Sequence, residues 1–197
     1  YLSTFEAADL VRPATKSAGQ EYVFKHSLVQ ETVYASLLRP ARAELHRRVA
    51  EVINRNGAGD EGLRVTLLAL HYDRAGMSRE AFRFSMEAGN RARQRHAQHE
   101  ALAFYDRAVA LAEESTDPYL AEQLGTLYRA RGQARQEMSD QAGAITEYEE
   151  MLRLARAASS PADQAEALTW LLPMKILLEG FSFTLEQNLQ AALRLAE

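Results

Sequence analysis

The sequence ALAFYDRAVALA at residues 101–112 returns in altered form as AITEYEEMLRLA at residues 144–155, 43 positions further along the chain. Four positions are identical in the two copies, and they pair as Ala101 with Ala144, Tyr105 with Tyr148, Leu111 with Leu154 and Ala112 with Ala155. A glycine, Gly89 or Gly132, lies twelve residues before the first alanine of each copy. Repetition at a constant spacing predicts a fold in which one structural unit is stacked on the next.

The chain beyond Gly62 is almost entirely amphipathic, with apolar residues at the spacing that places them on one face of a helix. The predicted helices end at breaks located at residues 76–78, near 96, and at 115–118, 139–140, 159–161 and 180. Several breaks contain residue types that cap the first turn of a helix, namely Ser78, Asp117, Ser139 and Ser160. The pattern therefore predicts helices of about 14 to 20 residues joined by short turns, as in stacked helical hairpins.

The arrangement resembles the tetratricopeptide repeat (TPR), in which small residues on two helices allow close packing and an aromatic residue fills the adjacent groove. The residues in those places are Gly132, Ala144, Tyr148, Met151 and Leu152 in one copy, and Gly89, Ala101, Tyr105, Ala108 and Val109 in the other. An upstream copy is indicated by Ala69, Tyr72, Gly76, Ala81 and Ala88. A weaker copy ends at residues 192–196, and Pro173 at its glycine position is expected to kink the helix. The spacing of 43 exceeds the family's usual length of about 34 residues.

Residues 1–56 have a mixed pattern that differs from the repeats. A helix end is predicted in residues 1–10, a turn-rich stretch in 12–19 and a strand in 22–25, where aromatic and β-branched residues cluster. Helical spacing follows His26, and Pro40 is expected to open a second helix whose apolar face is formed by Leu45, Val49, Val52 and Ile53. Residues 54–62 are the predicted linker, which divides the chain into regions 1–56 and 57–197.

The first region also has a resemblance, carried by YVFKHSLVQETVY at residues 22–34 and RAELHRRVA at residues 42–50. With LALHYDRAG at 68–76 and AGNRA at 88–92, it looks like the end of the winged-helix part of bacterial STAND-type signalling ATPases, just before their TPR arrays. The resemblance covers residues 10–112. The expected fold is all-α: a TPR-like helical-hairpin solenoid, preceded by a small winged-helix-like segment with a short β-strand or hairpin.

The same resemblance implies a role for His26, because a histidine at this strand-to-helix junction senses bound ADP in the related NB-ARC proteins. The neighbouring Met and Asp of that motif are replaced here by Lys25 and Ser27. His26 would bind a nucleotide phosphate only together with an ATPase domain outside this chain, so ATP or ADP is expected in the parent protein and no cofactor in this region. The alternative is that His26 caps or packs at the junction.

The composition of the chain and the motifs that it lacks limit the functions that we expect. Apolar residues make up 47% and charged residues 25%, which is typical of a globular chain, and the net charge of −4 disfavours nucleic-acid binding through the overall field. Cysteine is absent, which excludes disulfides and suggests a reducing cytoplasm. We expect no membrane segment, because no apolar run approaches about 18 residues. No P-loop, nucleophile elbow or metalloprotease helix is present, so we expect no enzymatic activity. Tyr1 and Glu197 are expected to lie inside a longer protein.

The predicted function is a non-catalytic protein–protein interaction and regulatory module that binds a peptide, a partner domain or an effector. Its candidate contact residues lie on the first helices of the hairpins: Asn90, Gln94, Tyr128, Arg131 and Arg135. The alternative is a DNA-binding transcription regulator fragment that contacts phosphates through Arg39, Arg42, Arg47 and Arg48, joined by the run Arg91, Arg93 and Arg95.

Two further clusters have competing interpretations. His96, His99 and Glu100 have metal-ligand side chains, but no further ligand is evident and they lie at a predicted turn, so a solvated helix start is favoured and no metal site is predicted. Near the end of the chain, a group of large apolar residues forms either core or a docking surface for a following repeat: Trp170, Met174, Phe181 and Phe183.

Overall fold

The computed structural model describes residues 2–14, 22–56, 59–179 and 190. Within these residues the chain is all-α, with nine helices and one small antiparallel sheet. The elements in chain order are α1 (Leu2–Ala7), β1 (Val11–Pro13), β2 (Tyr22–Phe24), α2 (Ser27–Ser36), α3 (Arg39–Asn56), α4 (Glu61–Arg74), α5 (Ser78–Gln94), α6 (Gln98–Glu114), α7 (Pro118–Glu137), α8 (Gln141–Ala157) and α9 (Pro161–Glu179).

The sheet confirms the predicted strand at residues 22–25 and corrects the prediction beside it. Arg12 and Pro13 were expected to begin a turn, but Val11–Pro13 forms β1 and pairs with β2 in the register Val11 to Phe24 and Pro13 to Tyr22. A two-stranded sheet has only edge strands, and an edge strand tolerates a proline that cannot donate a ladder hydrogen bond. Most of the predicted turn at 12–19, namely residues 15–19, lies outside the described residues.

The face that α3 buries is not the predicted one. Pro40 lies in the first turn of α3, as predicted, but Leu45, Val49 and Val52 are exposed. The side chains buried against the next helix are His46 and Ala50, with Ile53 partly buried in the same row. The row formed by His46, Ala50 and Ile53, at positions i, i+4 and i+7, therefore faces the core. The neighbouring row of larger apolar residues faces outward.

From α3 to α9 each helix packs against the next one in the chain, and α5, α7 and α9 also contact one another in turn. The helix breaks match the predicted ones, except at Gly180, which lies outside the described residues. Asp117 caps α7 as predicted, accepting from the Tyr119 amide at 3.1 Å. The Ser160 hydroxyl likewise accepts from the Asp163 amide at 3.4 Å at the start of α9.

Two predicted caps are wrong. Ser78 is the first residue of α5, after an N-cap at Met77. Ser139 follows the end of α7 with a left-handed φ of 62°, and Asp140 caps α8 instead by accepting from the Gly143 amide at 2.9 Å. The carboxylate one residue later takes the capping position because Ser139 is used to end the preceding helix.

The two repeat glycines are in contact with the two repeat tyrosines. A side-chain carbon added to Gly89 would overlap the ring of Tyr105, and one added to Gly132 would overlap the ring of Tyr148. Both tyrosines are fully buried. The predicted steric reason for the repeat is therefore confirmed, because each ring lies directly on a helix backbone that has no side chain at that point.

The hydrophobic core is divided into two clusters. The first runs from Ala50 on α3 to Ala134 on α7, and the second joins α8 to α9. Trp170 and Met174 are partly buried and pack against the second cluster, so core and docking surface both stay interpretations of them, while Phe181 and Phe183 lie outside the described residues. Helix α9 is unbroken although Pro173 lies within it. Of the helices that the structure describes, none combines the length and the apolar character needed to cross a membrane.

Candidate functional site

A groove of about 490 Å³ opens between α7, α8 and the first turns of α9. The side chains along it are mostly small or apolar, with three carboxylates among them. Its lining residues are Ala121, Glu122, Gly125, Thr126, Met151, Leu154, Ala155, Ala157, Ala158, Asp163 and Glu166.

The groove exists because small residues on α7 face small residues on α8. Ala121 and Gly125 lie one helical turn apart on α7, opposite Ala155 and Ala158 near the end of α8. A side-chain carbon added to Gly125 would meet no atom within 4 Å. Gly125 is therefore not required for helix packing, unlike the two repeat glycines, and its missing side chain leaves the groove open.

The charge of the groove is negative. Glu166 forms an ion pair with Arg129, but Glu122 and Asp163 have no ion-pair partner among the described residues. An apolar floor beside unpaired carboxylates is complementary to a segment that carries small apolar side chains and a lysine or arginine. A mid-helix glycine without a structural reason is the sequence signal that would have pointed here, because glycine costs about 1 kcal/mol relative to alanine in a helix.

None of the predicted contact residues lines this groove. Asn90 accepts a hydrogen bond from the Tyr105 hydroxyl at 2.7 Å, so it supports the repeat packing. Gln94 is exposed at the end of α5. Tyr128 packs against the second hydrophobic cluster, and the guanidinium of Arg131 lies 5.8 Å from its ring centre.

Arg131 and Arg135 are brought together by a buried carboxylate. Glu147 on α8 is 5% exposed, and its two oxygens lie 3.1 Å from Arg131 Nη1 and 2.9 Å from Arg135 Nε. The same arginines reach outward to Asp106 at 2.8 Å and Asp140 at 2.9 Å. Burial raises the pKa of the Glu147 carboxyl, and the attraction of the two arginines opposes that rise. Their role as partner contacts stays a prediction, since the contacts seen are internal.

His26 occupies the N-cap position of α2, at the predicted junction of strand and helix. Its backbone is extended, with φ −129° and ψ 129°, and its exposed side chain makes no capping hydrogen bond to the described residues. The alternative that the imidazole itself caps the helix is therefore not seen. Binding of a nucleotide phosphate stays a prediction.

The arginines predicted to contact DNA differ in their surroundings. Arg47 and Arg48 both bond to Glu44 at 2.7 Å, and hydrogen bonds first from Arg47 and then from Arg48 lower the pKa of that carboxyl to about 2. Arg42 lies over the Tyr34 ring, 5.4 Å from its centre, and Arg39 is exposed.

The second basic run is paired with acids throughout. The partners and distances are Glu87 at 3.1 Å for Arg91, Glu137 at 2.7 Å for Arg93 and Glu100 at 3.4 Å for Arg95. Local pairing of this kind leaves less charge for a phosphate backbone.

The structure places His96 and His99, the histidines considered as metal ligands, in two different elements. His96 lies in the turn with a φ of 60°, and His99 is in the first turn of α6. In the ranges that the structure describes, no group of three or more histidine, aspartate or glutamate side chains is placed to hold a metal ion.

A pair of histidines that the sequence pattern did not single out connects α2, α3 and α4. His46 Nδ1 lies 2.8 Å from His71 Nδ1, and His46 Nε2 lies 2.9 Å from the Tyr34 hydroxyl. Burial lowers the pKa of both histidines, and the charge of Arg74 lowers the pKa of His46 further. The pKa of His71 is lowered further by the charge of His46 and then by that of Arg74. The pair is therefore favoured as neutral. Residues 25 positions apart have no spacing signal, so only the fold brings them together.

No known protein-family profile matches the chain. An uncharacterised protein from Rhizobium meliloti (strain 1021) is 36% identical over 106 residues, which covers 54% of this chain. The same alignment covers 10% of that protein, so the chain spans about a tenth of the length of the relative that it matches.

Proposed function

We propose that this chain is a non-catalytic protein-interaction module of TPR-like helical hairpins, and that it binds a peptide segment in the groove between α7 and α8. The observation that carries the proposal is the groove itself, with an apolar floor, the open position at Gly125 and two unpaired carboxylates. The peptide that fits has a lysine or arginine next to small apolar residues. The basic side chain would pair with the carboxylates of the groove, and the apolar side chains would pack on its floor.

The TPR-like part of the proposal is supported by the contact of Gly89 with Tyr105 and of Gly132 with Tyr148, which is the close packing that the family uses. A short sheet followed by α2 and α3 supports a winged-helix-like segment before the hairpins. We propose further that the parent protein is a larger signalling ATPase, which rests on the resemblance of residues 10–112. In that setting His26, exposed at its junction, meets a nucleotide bound by another domain.

A phage-displayed peptide library tests the groove. We expect selection on the wild-type chain to enrich peptides with a basic residue flanked by small apolar ones. A side-chain carbon at position 125 meets no atom within 4 Å, so we expect Gly125→Leu to extend into the groove, keep the fold and weaken binding of the selected peptides about tenfold or more. The matched control is Ala103→Leu, which introduces the same side chain at an exposed position of α6 outside the groove.

Charge gives a second test with its own control. Glu122→Lys combined with Asp163→Lys should abolish binding of the basic peptides, whereas Glu113→Lys on α6 should leave it within about twofold. Equal binding by the Gly125→Leu chain, or enrichment of acidic peptides, would show that the groove is not the site.

The alternative of DNA binding through the first region is less well supported, because Arg47 and Arg48 are already bonded to Glu44. DNA binding stays a prediction. The result that would support it is salt-sensitive DNA binding that disappears when four arginines are neutralised, namely Arg39, Arg42, Arg47 and Arg48.

A further inference from the structure

An open concavity of about 580 Å³ lies where α2, α3 and α4 meet, and it shares no lining residue with the peptide groove. Its polar lining consists of Tyr34 from α2, Arg39 and Arg42 from α3, and Asp73 and Arg74 from α4. Three arginines from two helices therefore surround one cavity.

These three arginines differ from most others in the described part of the chain. Most arginines elsewhere in the described residues are paired with carboxylates, as Arg64 is with Glu61 at 2.6 Å and Arg79 is with Asp117 at 2.8 Å. Arg39, Arg42 and Arg74 have no ion-pair partner among the described residues. The chain has more acids than bases overall, so three unpaired arginines at one place are not a consequence of composition.

The one acidic side chain in the lining of this cavity, Asp73, is already paired with an arginine outside it. Both carboxylate oxygens of Asp73 accept hydrogen bonds from Arg107, at 2.6 Å and 2.8 Å. This bidentate pairing with a fourth arginine leaves little charge on Asp73 to neutralise its neighbour Arg74.

The cavity wall is also held in place. Arg42 lies over the Tyr34 ring, and the Tyr34 hydroxyl bonds to the buried His46 at 2.9 Å. A contact between a cation and a ring restricts the arginine to a few positions, so less conformational entropy is lost when it binds a ligand.

We propose that this concavity binds a small multivalent phosphate anion. A guanidinium donates two parallel hydrogen bonds to phosphate oxygens, and arginines from two helices approach such an anion from different sides. The volume lies within the range of about 300–1,000 Å³ that is common for small-molecule sites, so it has room for linked phosphates as well as for one. The site is independent of the proposed peptide groove.

Isothermal titration with sodium pyrophosphate at fixed ionic strength tests the proposal. We expect saturable binding to the wild-type chain, weakened about tenfold by Arg42→Gln or Arg74→Gln and further by the triple variant with Arg39→Gln. The matched control is Arg55→Gln, also on α3 but outside the cavity, which should change the affinity by less than about twofold.

The single variant Arg39→Gln distinguishes loss of binding from loss of folding. Arg39 is an exposed residue at the start of α3 with no ion-pair partner among the described residues, so its replacement should leave the fold intact. Weaker binding in Arg39→Gln with an unchanged circular dichroism spectrum supports the site. Undetectable binding of pyrophosphate to the wild-type chain, or equal loss in Arg39→Gln and Arg55→Gln, overturns it.

Discussion

The hairpin α5–α6 and the hairpin α7–α8 have the same packing contact and a different interior beside it. In both, a tyrosine ring lies on a bare glycine backbone. At the same repeat offset of 43, however, Ala88, Ala92 and Phe104 of the first hairpin correspond to Arg131, Arg135 and Glu147 of the second. An apolar contact in one hairpin is therefore an ionic network in the other.

The comparison distinguishes the residues that set the distance between the two helices from the residues that fill the space beside them. The glycine and tyrosine set the distance between the helices, and both hairpins keep them. The neighbouring positions accept either apolar residues or charges, provided that the charges find partners. The network lies where the two hydrophobic clusters are separated, since α7 contributes Ala134 to the first and α8 contributes Ala144 to the second.

The largest effect is expected from Glu147→Phe, which gives the second hairpin the phenylalanine of the first without its alanines. Two arginines then face an aromatic ring, and removal of one partner of a buried ion pair costs about 3–5 kcal/mol. Because Arg131 and Arg135 keep Asp106 and Asp140, we expect a loss of about 3 kcal/mol, measured by urea denaturation.

The matched variant for this prediction is the triple change Arg131→Ala, Arg135→Ala and Glu147→Phe, which copies the first hairpin at these three positions. It should lie within about 1 kcal/mol of the wild type, since apolar replacement of a buried ionic triad is often neutral and the two aspartates left without arginine partners, Asp106 and Asp140, reach solvent. If the triple variant is as unstable as Glu147→Phe, the two hairpins are not equivalent at these positions.

An intermediate effect is expected from Gly132→Ala. The added carbon overlaps the Tyr148 ring, and overpacking costs about 1–3 kcal/mol, offset in part by a helix-propensity gain of about 1 kcal/mol. Gly89→Ala should lose a similar amount, because its carbon meets Tyr105 in the same way. Thermal denaturation measures both.

Gly125→Ala is the control for these glycines, since it gains the propensity and meets no atom within 4 Å. It should stabilise the chain by about 0.5–1 kcal/mol. Stabilisation by Gly132→Ala as well would show that the tyrosine contact is loose and does not set the helix distance.

The smallest effect is expected from the tyrosine hydroxyls. Tyr105 donates to Asn90 at 2.7 Å, and Tyr148 donates to Gln136. Tyr105→Phe and Tyr148→Phe should each cost about 1 kcal/mol, the net contribution of one hydrogen bond, in the same urea titration. A much larger loss in only one of them would mean that one hydroxyl supports more than its own bond.

Local patterns in the sequence predicted the parts of the fold that depend on neighbours along the chain. The helix breaks, the opening of α3 at Pro40 and the glycine–tyrosine repeat all follow from short-range spacing. The strand Val11–Pro13 was not predicted, because its pairing with β2 is a contact between segments rather than a property of three residues.

The site depends on contacts between helices, and there the sequence was less informative. Arg131 and Arg135 were predicted to face a partner, but the charge that they meet is Glu147, 12 to 16 residues away on another helix. The apolar row on α3 was assigned to the core, although the neighbouring row at His46 and Ala50 is the buried one. Periodicity identifies an apolar face, while tertiary packing decides which face is covered.

Arg131 connects three helices at once, since it bonds to Asp106 on α6 and to Glu147 on α8. Because Asp106 belongs to the preceding hairpin and Glu147 to its own, this one side chain links two successive hairpins by charge. The glycine–tyrosine contact acts within a hairpin, whereas Arg131 acts between hairpins.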